Sequence, residues 1–93
     1  MIATLTFHLH LPACFSLKDK RGRIKPLLSR LRREFNVSVA EMDLQDKWGE
    51  AVIACAAINS DKVVLEQSLQ SVAKWVDSHW PDGQVIDSKI QFV

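Results

Sequence analysis

The chain has 93 residues, 47% of them hydrophobic and 25% charged, with a formal net charge of +1. Those proportions belong to an ordinary globular chain and not to a disordered one, and the length suits a single modest core and not two. The two cysteines form no CxxC pair and no run approaches the ~18 apolar residues of a membrane span, so the expectation is one domain over residues 1–93, free thiols, a cytoplasmic setting and no membrane.

From Ala3 to Leu11 the alternation is strict: Ala3, Leu5, Phe7, Leu9 and Leu11 point one way, and Thr4, Thr6, His8 and His10 the other. That is a half-buried strand, and it lacks the continuous apolar block of a secretion signal. Pro12 stops it. Ser16 offers an N-cap with Asp19 three residues on, and Leu17, Ile24, Leu28, Leu31 and Phe35 trace the apolar stripe of a helix. Gly22 and Pro26 disturb that helix; Pro26 cannot donate to the Gly22 carbonyl, so a kink or a weak first turn is expected.

Val37 to Leu44 and Trp48 to Ile58 read as a second and a third strand, connected through Asp43-Leu44-Gln45-Asp46-Lys47. The third strand is apolar on both faces, which demands an interior place in the sheet. Asn59-Ser60-Asp61 caps a second helix with the stripe Leu65, Leu69, Val72 and Val76. Trp80-Pro81-Asp82-Gly83 is a turn, and Ile86, Ser88, Ile90 and Phe92 alternate in a last strand. Six elements in this order predict an α+β, ferredoxin-like βαββαβ sandwich. Its four-stranded antiparallel sheet has the first and third strands in the centre and both helices on one face.

The charge is polarised. Lys18 to Arg33 holds eight of the twelve bases and one acid, Asp19, so it carries about +7 (eight less one); the remainder, four bases against ten acids, carries about −6. On a helical wheel Lys18, Arg21, Lys25 and Arg32 share one flank, a ridge shaped to follow a phosphate backbone. Lys18, Lys20 and Arg21 also crowd the helix start, where each cation opposes the helix dipole by roughly 0.3–1 kcal/mol. The same free N–H groups, with the Ser16 hydroxyl, suit a phosphate. Ser16, Lys18, Lys20, Arg21, Lys25 and Arg32 are therefore the candidate phosphate- or nucleic-acid-binding residues. The alternative is that Glu41, Asp43, Asp46 and Glu50, on the hairpin at the same end of the sheet, balance the basic start within the monomer.

His10-Leu11-Pro12, Ser16-Leu17-Lys18 with Lys20-Arg21, the block Phe35-Asn36-Val37-Ser38-Val39-Ala40-Glu41, and Trp48 resemble the YlxP-like family, domain of unknown function 503. The resemblance covers essentially the whole chain and implies a small bacterial cytoplasmic protein of ferredoxin-like fold. The family's genes lie among those for translation and ribosome maturation, which implies work on RNA or the ribosome; it implies no catalytic residues. Gly22 and Pro26 depart from the basic or aliphatic residues expected there.

Other chemistry is sparse. His8 and His10 project to one face with Cys14 in the loop beyond, but no third ligand completes a metal site, and no metal or cofactor is expected. The chain has no Gly-rich phosphate loop, serine elbow or paired carboxylates, so it is read as non-enzymatic. Both helices cover one side of the sheet while the third strand stays apolar on the other, which points to a second copy docking there. His8, His10, Ile53, Cys55 and Ala57 are the candidate dimer contacts. The expected partners are thus RNA or the ribosome, and a second copy of the chain. The open face carries no Phe or Tyr platform, so base stacking on the central strands is not the expected mode.

Overall fold

The computed structural model describes every residue from Met1 to Val93. The elements run β1 (Ile2–His10), α1 (Leu17–Glu34), β2 (Ser38–Asp43), β3 (Glu50–Ile58), α2 (Lys62–His79) and β4 (Gln84–Phe92). The strands form one antiparallel sheet in the order β2-β3-β1-β4, with both helices on one face, which is the ferredoxin-like arrangement. The interior strands are β1 and β3, as the two-faced apolarity of β3 requires.

Register decides which residues form the core. β1 pairs with β3 so that Leu5 faces Cys55 and Phe7 faces Ile53. With Ala3, Leu9 and Ala51 these side chains are completely buried on the helix side. This corrects the expected dimer contacts. Ile53 and Cys55 lie beneath the helices and Ala57 packs against the same core, so the outward residues of β3 are Val52, Ala54, Ala56 and Ile58. A strand apolar on both faces cannot announce which face the helices cover; a one-residue choice of parity reverses every side chain.

α1 departs from its expected stripe in the same way. Its buried positions are Lys20, Ile24, Leu27 and Leu31, spaced 4, 3 and 4, while Leu17, Leu28 and Phe35 are only partly buried. Its first turn is well formed: the Ser16 hydroxyl accepts from the Asp19 N–H at 3.0 Å. The helix runs unbroken through Gly22 and Pro26, both exposed. α2 is capped by Asp61, which accepts from the N–H groups of Val63 and Val64, and buries the expected Leu65, Leu69, Val72 and Val76.

β4 is irregular. A register shift opposite His8 and Leu9 turns Ile86 outward, where it is 54% exposed, against its expected place in the alternation. Trp80, expected only as part of a turn, is core: its ring is buried and its indole N–H donates to the Arg23 carbonyl at 3.3 Å. Gly83 makes room for it. A Cβ there would lie 2.6 Å from Trp80 Cζ3 and 2.7 Å from the His10 carbonyl oxygen.

Candidate nucleic-acid interface

Three loops meet where β1 ends: residues 11–16 after β1, residues 44–49 between β2 and β3, and residues 80–83 before β4. α1 starts above them, and its cations divide by what they meet there. Lys20 is 2% exposed. Its ammonium lies 2.9 Å from Glu41 Oε2 and donates to the carbonyls of Leu44 and Gln45, the latter at 3.4 Å. It binds the β2–β3 loop and has no surface left for a phosphate, which corrects its place among the candidate contacts. The Glu41 contact is mainly electrostatic, because buried Oε2 receives no well-aligned hydrogen bond.

Arg23 performs the same task on the other side. Its guanidinium grips Asp19 through two hydrogen bonds at 3.0 and 3.1 Å and donates to the carbonyls of Pro12, Ala13 and Asp82. The Asp19 bond raises its pKa above the ordinary value. Ala13, at φ 53, is one of two non-glycine residues in the left-handed region, and Arg23 secures the carbonyl of that turn. Arg30 donates to the His79 carbonyl and lies 4.8 Å over the Trp75 ring, which stacks on His79 and meets Phe35 edge-on.

The start of α1 is thus already furnished. The Ser16 hydroxyl serves Asp19, and the Asp19 carboxylate supplies the negative charge that the helix dipole favours. The phosphate pocket expected at Ser16 and Lys20 is therefore filled by the protein's own groups.

What remains is one flank. Lys18, Arg21 and Lys25 are exposed and have no carboxylate within 4.0 Å. Arg32, two turns beyond Lys25, is also exposed and spends one N–H on the Val39 carbonyl at 2.8 Å. Lys18 to Arg32 spans ~21 Å at 1.5 Å rise per residue. The acidic hairpin forms no ion pair with this ridge. Glu41 takes Lys20; Glu50 takes Lys47 and His8, the latter at 3.0 Å; Asp43 caps the Leu44 N–H; and Asp46 has no cation within 4.0 Å. Lys47 holds the Glu50 carboxyl below its ordinary range, with His8 adding to the effect.

Between the ridge and the hairpin lies a groove of about 350 Å³, which sequence reasoning did not anticipate. Arg21 and Lys25 form one rim, Gln45 and Asp46 the other, and Leu17, Ile24 and Leu28 line it. Ile24 is core as expected, while Leu17 and Leu28, of the same expected stripe, are only partly buried and form the half-open part of this wall.

His8 and His10 stand on the open face of the sheet. His8 Nε2 meets Glu50, and His10 Nδ1 donates to the Gly49 carbonyl at 3.1 Å. No three His, Cys, Asp or Glu side chains gather in metal-binding geometry. No helix is long and apolar enough to cross a membrane.

These features define a small ferredoxin-like domain whose distinctive surface is one unneutralised cationic helix flank beside a groove. The chain belongs to the family described as protein of unknown function DUF503, whose model matches residues 2–90. It is similar to the uncharacterized protein YlxP of Bacillus subtilis (strain 168), 41% identical over 63 residues that make up 68% of each chain.

Proposed function

We propose that this protein is a non-enzymatic RNA-binding protein of the cytoplasm that engages ribosomal or other structured RNA through the exposed flank of α1. The observation that carries the reading is selective: of the basic residues at the start of α1, Lys20 and Arg23 are consumed by loop carbonyls, while Lys18, Arg21 and Lys25 are left without a counter-ion. Exposed cations in a row along one helix flank attract polyanions at long range. Two free thiols support the cytoplasmic setting.

The test is the salt dependence of binding to structured ribosomal RNA, for the native chain and a Lys18→Gln/Arg21→Gln/Lys25→Gln variant. Each phosphate contact removed lowers the log–log slope by ~0.7–0.9, so the triple variant loses about two to three units of slope. Absence of binding by the native chain at low salt would overturn the proposal.

A second reading, a homodimer, is favoured by the open face of the sheet. Ala40, Met42, Val52, Ala54, Ala56 and Ile58 form an apolar strip there, with Met42 59% and Ile58 73% exposed. In this reading two sheets pack face to face, and sedimentation returns twice the 10.5 kDa mass. A monomer at high concentration excludes it.

A further inference from the structure

We infer that the groove beside the ridge receives the base of an unpaired nucleotide, with a preference for bases that carry an exocyclic amino group. The inference rests on the RNA reading and names the part of the RNA that the site takes. Its basis is the juxtaposition of three chemistries in one cleft. Arg21 and Lys25 supply cations on the helix rim. Ile24 and the half-buried Leu17 and Leu28 supply an apolar wall. Asp46 supplies, on the hairpin rim, a carboxylate that no cation of the chain neutralises.

A nucleotide is the RNA unit with matching parts: an anionic phosphate, a flat ring and an edge of donors and acceptors. The cleft, at about 350 Å³, falls in the range of small-ligand sites, ~300–1,000 Å³. A carboxylate accepts from the exocyclic amino group of cytosine, adenine or guanine, whereas uracil has no amino group and offers only its single ring N3–H. Duplex RNA hides those edges in its paired stack, whereas loops and bulges splay them out. An acid beside an RNA-binding ridge weakens phosphate attraction, so its presence on the rim is informative about the edge it meets. The hairpin rim behind it is joined to α1, because Lys20 ties Glu41 and the Leu44–Gln45 backbone to the helix.

The experiment measures equilibrium affinities of the native protein for short single strands of cytidine, adenosine or uridine, for a duplex of equal length, and for cytidine monophosphate. Cytidine and adenosine strands are expected to bind about tenfold tighter than uridine, and the duplex more weakly than either. Asp46→Ala, which removes the acceptor, is expected to abolish that preference, with an unchanged melting temperature because Asp46 is exposed. If Asp46→Ala instead tightens all strands alike, the residue acts only as a repelling charge and the inference falls, while the RNA reading stands. Equal binding of duplex and single strand has the same consequence. Cytidine monophosphate binding as tightly as the strand would overturn the role of the neighbouring phosphates on the ridge. If no RNA binds at low salt, both readings fail together.

Discussion

Lys20 and Lys18 are chemically the same residue two positions apart, and they do opposite things. Lys20 lies in line with Ile24, Leu27 and Leu31, so its stem is buried and its ammonium emerges at Glu41 and the loop carbonyls. Lys20→Met leaves Glu41 beside an apolar group. The expected loss is about 2–3 kcal/mol, less than the ~3–5 of a fully buried broken pair because Glu41 keeps 23% exposure. Urea denaturation measures it, and Lys20→Met/Glu41→Gln should recover more than half of the loss. A stable Lys20→Met protein with weakened RNA binding would return Lys20 to the phosphate contacts.

Cys55 shows burial acting on titration. Its thiol, beneath the helices, is pushed from the ordinary 9.0 to about 11 by desolvation. Between those values the unfolded chain releases the proton and the folded chain retains it. The stabilisation from this group is therefore complete below pH 9 and is lost as pH rises through about 11. Alkylation at pH 8 is expected to leave Cys55 unmodified in the native protein and to label it in urea; rapid native labelling would contradict the packing.

α1 carries two poor helix formers on its outer face and still forms. Tertiary packing of Lys20, Ile24, Leu27 and Leu31 outweighs the local propensities, as it does for most protein helices. A methyl at Gly22 would meet nothing within 4 Å, so Gly22→Ala should raise stability by about 0.5–1 kcal/mol, or several degrees in Tm by calorimetry. Gly83 is the opposite case, since Trp80 and the His10 carbonyl occupy the space its side chain would need. Of the strands, β1 was fully legible, because Thr and His on one face and apolar groups on the other leave one orientation only. β3 was not, because both of its faces are apolar, and β4 was misread at Ile86 because a bulge shifts the alternation without altering its residue types.

At the scale of the whole molecule, the basic segment has two uses: cations that tie the fold together and cations that face solvent. Arg23 joins carbonyls at residues 12, 13 and 82, connecting the loop after β1 with the loop before β4. Arg23→Ala is expected to lower the melting temperature and to speed hydrogen exchange in both loops together, since each loses its shared anchor. Exchange that rises in one loop alone would show that the tie is local. The polarity of the chain and the order and type of its six elements were determined by the sequence itself, through residue spacing and charge counts that need no partner to be read. Which cation is a strut and which is free, which face of β3 meets the helices, and the groove beside α1 were decided only by the tertiary structure. Those features depend on register and on carbonyls brought from distant positions, and neither is encoded in the character of any one residue.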